Sequence, residues 1–184
     1  MSLLPFITIP TLTTERLVLR GHRAADFEGS LALWTDPAVI RFIGGRASSE
    51  QEVWQRLLRY AGMWGLLGYG YWAITDRADG AFLGEAGLAD LKREIEPPLG
   101  GVPESGWALR PSAHGRGLAG EAMRAVLDWA DTSLEQPETC CIIDPANTAS
   151  TRLAGKLDYQ ARHTAKLADN AVTVFYRDRH TTAP

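Results

Sequence analysis

The chain has 184 residues, 45% of them hydrophobic and 22% charged, which predicts one globular domain with a core of ordinary size. A net charge of -3 at pH 7 gives no bulk attraction to nucleic acid, and no uninterrupted apolar run is long enough to span a bilayer. The adjacent Cys140 and Cys141 form neither a disulfide framework nor a CxxC metal pattern, and His22, His114, His163 and His180 lack metal-ligand spacing. The start, MSLLPFITIP, has no basic region before a long apolar core, so no leader is expected and a reducing cytoplasm fits.

Residues 15–20 (ERLVLR) alternate as a first strand. Residues 26–34 read as a short helix with Phe27, Leu31 and Trp34 on one side. Asp36-Pro37 ends it, and Gly44-Gly45 marks a loop. Residues 48–64 form a longer helix, opened by a capping box of Ser48 with Gln51 or Ser49 with Glu52. Its expected core face is Val53, Trp54, Leu57, Leu58, Ala61 and Trp64, and its aromatic end could instead wall a substrate groove.

Residues 69–75 and 81–88 read as a hairpin around Asp79-Gly80, and residues 97–103 as a surface loop. A strand from Glu104 then runs into Pro111. After a glycine-rich turn, Leu118, Ala122, Ala125, Val126 and Trp129 recur at helical spacing. The apolar run at 139–143 suits a strand with a parallel neighbour, ended by Asp144-Pro145. A helix over 147–156 has Asn147 as its natural cap. Strands at 159–167 and 172–177 follow, around Asp169-Asn170. This order predicts an α/β domain over 1–184, a mixed sheet with helices on its faces.

The turn Gly115-Arg116-Gly117-Leu118-Ala119-Gly120 opens a helix whose first amides have no internal partner and carry partial positive charge. Glycines there let a phosphate approach closely; the plainer reading is a tight turn with a glycine cap. The run also matches the dinucleotide pattern G-x-G-x-x-G, with Asp144 as ribose acid, which would make the protein a nicotinamide-dependent oxidoreductase. Against this, residues 112–115 separate strand from turn, the strand is polar and aromatic, and too little chain follows for further parallel strands.

The segment WALRPSAHGRGLAGEA resembles motif A of the GNAT acetyltransferases, Gln/Arg-x-x-Gly-x-Gly/Ala, here His114-x-x-Gly117-x-Ala119. DPANTASTRLAGKLDY resembles the family's next segment, Asn-x-x-Ser on a helix followed by Lys-Leu-Gly-Phe/Tyr. FIGGRASSEQEVWQRLLRY, GYGYWAI and AFLGEAGLADL stand in family order, so the likeness covers residues 13–178. It is nearest to the branch of ribosomal-protein amino-terminal acetyltransferases. Two positions depart from the pattern: His114 replaces Gln or Arg, and Asp158 stands where Gly is usual.

The resemblance implies a mostly antiparallel sheet with one splayed parallel strand pair and helices on both faces. It implies acetyl-CoA as co-substrate and no metal. Amides of Gly115, Arg116, Gly117, Ala119 and Gly120 would hold the pyrophosphate, with His114 and Leu118 in the same turn and charge from Arg116, Arg152 or Lys156 outside it. Backbone groups of Trp107, Ala108 and Leu109 would pair with the pantetheine arm like an added strand, and an amide near Leu109 would face the thioester oxygen. Asn147 is either the helix cap or a polar contact to the arm or acceptor.

The acceptor, a small-molecule amine or a protein amino terminus, must attack uncharged. A lysine amine has a pKa of about 10.4 and an α-amine about 7.7–8.0, so a general base helps. Glu104 and Glu85 are placed for it, Glu104 within the family's Glu-x-Gly-Tyr/Trp pattern. Ser150, matching the motif serine, is the candidate acid for the leaving thiolate, with Tyr159 or Tyr176 in reserve. Cys140 and Cys141 read as buried strand residues, so transfer is expected to be direct, in a ternary complex. A non-catalytic acyl-CoA-binding module is the alternative. No nucleic-acid or membrane partner is expected, and six tryptophans with exposed sheet edges point to a homodimer.

Overall fold

The computed structural model describes residues 8–180, so the expectation about the start of the chain lies outside them. Strands β1 (Leu12–Thr13) and β2 (Leu17–Arg20) lead through a 3-10 turn into helices α1 (Phe27–Thr35) and α2 (Pro37–Ile40). Helix α3 (Glu50–Leu67) follows, then the hairpin of β3 (Tyr71–Asp76) and β4 (Phe82–Ala89). A two-residue strand, β5 (Ile95–Glu96), precedes β6 (Glu104–Leu109), and a 3-10 turn at Pro111–Ala113 leads to α4 (Leu118–Ser133). The chain ends with β7 (Glu138–Ile143), α5 (Thr148–Lys156), β8 (Gln160–Leu167) and β9 (Asn170–Asp178).

All the strands join one nine-stranded sheet in the order β1-β2-β3-β4-β6-β7-β9-β8-β5. Only β6 and β7 run parallel; every other described pair is antiparallel. A dinucleotide-binding fold needs a run of parallel strands, so that alternative falls. The two edge strands, β1 and β5, are only two residues long, which leaves little template for another chain.

Side chains alternate across the strands and divide the core in two. On one face Leu109, Ala86, Leu88, Trp72 and Ile74 pack with Leu118, Ala122, Met123 and Val126 of α4 and Ala154 of α5. Trp64, Trp72 and Trp129 meet edge-on there, with ring centroids 4.6, 5.5 and 5.2 Å apart. On the opposite face Ala108 packs with Leu33, Trp34, Val39, Ile40 and Val53 of the first three helices.

Of the two capping boxes expected for α3, Ser49 with Glu52 forms. The face of α3 differs from expectation. Val53, Leu57, Tyr60, Met63 and Trp64 are buried, whereas Trp54 is 42% and Leu58 55% exposed, and Ala61 is exposed too. Both sets fit a helical stripe. The observed face includes Tyr60, because a tyrosine whose hydroxyl has a partner, here Glu85, buries readily.

Candidate active site

Strands β6 and β7 pair at a single position, Glu104↔Cys140, while β7 stays paired with β9 from Glu138↔Asp178 to Ile143↔Thr173. Past that point, among the described residues, β6 has no strand on its β7 side. Below the split, the Tyr159 hydroxyl bonds Ser105 Oγ of β6 at 2.6 Å and Thr139 Oγ1 of β7 at 2.7 Å, pinning the strands together. Tyr159, held in reserve as an acid, is thus buried in a strand-joining role.

Backbone groups alternate sides along a strand. Cys140 N donates to Pro103 O at 2.9 Å, and Arg110 N donates to Leu83 O at 2.8 Å. Odd-numbered residues of β6 therefore aim at the split and even-numbered ones at β4. Trp107 and the Leu109 amide face the open edge. Ala108, expected to serve the arm through its backbone, turns those groups to β4 and contributes a buried methyl instead. The Leu109 carbonyl accepts from His114 Nε2 at 2.7 Å, so that ring nitrogen carries a proton.

The split ends at the glycine turn. Gly115 (φ 71°) and Gly117 (φ 77°) both adopt left-handed backbone, and Gly117 caps α4 with no side-chain hydrogen bond. The first regular helical bond is Glu121 N to Gly117 O at 3.1 Å, so the amides of Leu118, Ala119 and Gly120 stay free of side-chain caps. Leu118 is buried as an anchor, and Gly120 lets α4 close on Leu153 of α5. Arg116, Arg152 and Lys156 are exposed. Asn147 Oδ1 accepts from Ser150 N at 3.1 Å, the cap geometry, and Ser150 is half-buried in the first turn of α5.

The two carboxylates sit on the α1–α3 face in different settings. Glu85 is wholly buried. It accepts from Ser30 Oγ, from Trp34 Nε1 at 2.9 Å and from Tyr60 OH at 3.0 Å, with His22 Nε2 at 3.7 Å, too long for a hydrogen bond. Burial works against its charge, but these surrounding groups outweigh it and hold the carboxyl below the usual range. Glu104 is gripped by Arg93, Nε to Oε2 at 2.7 Å and Nη2 to Oε1 at 2.9 Å. It lines a cavity of about 260 Å³ with Arg93, Asp90, Gly100, Gly101 and Val102.

Sequence reading missed Arg16 and Thr14. Glu121, in the first turn of α4, accepts from Thr14 Oγ1 at 2.5 Å and Arg16 Nε at 2.7 Å, and Arg16 Nη1 reaches the Arg116 carbonyl at 3.0 Å. The β1–β2 turn thus braces the glycine turn, through partners too distant in the chain for a local pattern.

The Acetyltransferase (GNAT) domain family matches residues 16–160. The chain belongs to the GNAT acetyltransferases. Among similar proteins, YkkB of Bacillus subtilis is 29% identical over 90% of this chain and 94% of its own. A solved GNAT-family acetyltransferase from Bordetella pertussis is 31% identical and covers 92% of this chain and 99% of its own, with a TM-score of 0.81. An acetyltransferase from Agrobacterium tumefaciens is 28% identical over 96% and 98% of the two chains, with a TM-score of 0.80. This GNAT protein is an N-acetyltransferase. Among the described residues no helix is long and apolar enough to cross a membrane, and no cluster of His, Cys, Asp or Glu could hold a metal ion.

The second departure from the GNAT pattern has a backbone meaning. Asp158 keeps a φ of 64°, the conformation a glycine would take freely. Asp158→Gly is therefore expected to raise stability by about 0.5 kcal/mol, read as a higher urea midpoint. A lower midpoint would show that the Asp158 side chain stabilises the turn.

Proposed function

We propose that this N-acetyltransferase moves the acetyl group of acetyl-CoA directly to a primary amine in a ternary complex. The observation that carries this reading is the split after Glu104↔Cys140, which leads straight to the uncapped start of α4. Trp107 and the Leu109 amide bind the pantetheine arm and polarise the thioester. The free amides from Gly115 to Gly120 hold the pyrophosphate. Ala108 supports this edge from its buried face.

The uncharged amine gives its lone pair to the acyl carbon. The C–N bond forms and the C–S bond breaks, its electron pair leaving on sulfur. Glu104 takes the amine proton through water, and Ser150 supplies one to the thiolate. Between the two carboxylates Glu104 is favoured because it borders an open cavity, whereas Glu85 has no exposed surface and works as a positioning group. Asn147 fixes the helix turn that carries Ser150.

The acceptor shares a primary amine, and the fold accommodates unlike examples. Spermidine N-acetyltransferase from Vibrio cholerae was solved with CoA and spermine, and AAC(6')-Ib with paromomycin and acetyl-CoA. RimL, a ribosomal-protein α-N acetyltransferase, was solved with CoA.

A melting scan with acetyl-CoA, CoA and NADH in parallel tests the reading. At 100 times its dissociation constant a ligand adds about 2.7 kcal/mol. Both CoA species are expected to raise the midpoint and NADH to leave it unchanged; the reverse overturns the proposal. Glu104→Gln is expected to lower turnover about 100-fold with acetyl-CoA affinity unchanged. Unchanged turnover would hand the proton to bulk water or to Glu85.

A further inference from the structure

The Tyr71 ring spans β4. Tyr71 pairs with Gly87, and Gly87 in turn with Gly106 of β6. A Cβ built at Gly106 would collide with the Tyr71 hydroxyl oxygen. The hydroxyl therefore rests on β6 at Gly106, just beyond the point where β6 and β7 part, on the face of α1–α3. Tyr60 of α3 holds the ring from above, stacked at 4.7 Å and 7°, and the Tyr60 hydroxyl is itself fixed on Glu85. On its far side Tyr60 meets His22 at 4.8 Å. The buried Glu85 network thus packs, through Tyr60, against one phenol whose hydroxyl lies over β6 on the α1–α3 face.

We propose that the Tyr71 hydroxyl receives the acceptor amine, its oxygen accepting one N–H so that the nitrogen lone pair turns toward the acyl carbon lying along β6. This rests on the transfer reading above. Glu104 and Gly106 are two residues apart on the same face, about 6.5–7 Å along the strand. Under this reading one water joins an amine held at Tyr71 to Glu104. Burial first, then the nearby Glu104 carboxylate, oppose ionisation of the phenol, so it stays neutral, with lone pairs to accept and a proton to give. Glycine at position 106 has a reason under this reading: any side chain there would lift the hydroxyl off the reacting strand.

The test uses the full chain with acetyl-CoA and the best acceptor among spermidine, paromomycin, and Ala- and Ser-terminated peptides. Tyr71→Phe is expected to lower kcat/KM for the amine about 10- to 100-fold, with the acetyl-CoA dissociation constant unchanged. Gly106→Ala is expected to cost a similar factor alone but little more when added to Tyr71→Phe, since phenylalanine lacks the colliding oxygen. Wild-type kcat/KM in Tyr71→Phe would overturn the assignment while leaving acetyl transfer intact. A wild-type protein that binds acetyl-CoA and acetylates none of these amines would overturn the amine-transfer reading beneath it.

Discussion

Glu85→Ala is expected to lose about 3–5 kcal/mol of folding stability, because three buried donors are left unpaired at a cost of about 1–3 kcal/mol each. The alanine would strand Ser30 Oγ, Trp34 Nε1 and Tyr60 OH in a buried site, and would leave a cavity beside Ala108. Glu85→Gln keeps the volume but points an amide donor at groups that are donors already, so it should fall between the two. Urea unfolding of the three proteins measures this; a loss below about 1 kcal/mol in Glu85→Ala would remove the network from the account of stability. The same group predicts an acid response. Its folded pKa lies below the unfolded value of about 4.3, so the unfolded chain binds more protons as pH falls through that window. The stabilisation is complete above about pH 4.3 and is lost as pH drops below it toward the folded value. Glu85→Gln should therefore lose less stability than wild type between neutral pH and pH 3 to 4. Asp26, where burial is outweighed by the Arg20 pair and the Arg23 amide acting together with its other neighbours, adds a loss of the same sign in both proteins.

Much of the fold was legible because its signals are local. The β3–β4 hairpin showed in two β-rich runs around Asp79-Gly80, the parallel strand in the apolar TCCII, and the α5 cap in Asn147. What escaped depends on partners far apart in the chain. Periodicity located α3 but not its rotation, which Tyr60 and Glu85 decide together across 25 residues. The strand at 104–109 was plain, yet which of its residues face the split follows from its register with β4, so Ala108 and Trp107 were indistinguishable in sequence. Strand β5 has only two residues and exists because Ile95 and Glu96 meet β8. The candidate turn was legible as glycines. Its brace, Arg16 on Glu121, joins residues 105 positions apart.

Gly117→Val is expected to reduce CoA affinity at least about 100-fold, equivalent to about 2.7 kcal/mol of binding. Space is not the first obstacle: a Cβ at Gly117 meets only Arg16 Nη2, at 3.8 Å. The obstacle is φ 77°, which a β-branched residue adopts only under strain of about 1–3 kcal/mol. Relief of that strain would turn the amides of Leu118, Ala119 and Gly120 away from a common point, and the valine side chain would stand in the phosphate's path. The core under α4 is anchored separately by Leu118, Ala122 and Val126, so the fold should survive with a modestly lower urea midpoint. Arg116→Ala separates charge from backbone at the same turn. Its side chain is exposed, so its loss is screened and should cost less than about tenfold. If Arg116→Ala weakens CoA more than Gly117→Val does, the site holds phosphate by charge, and the bare helix start is only a turn. If a folded Gly117→Val protein keeps wild-type affinity, the phosphate lies elsewhere and the reading of the split as a CoA groove fails with it.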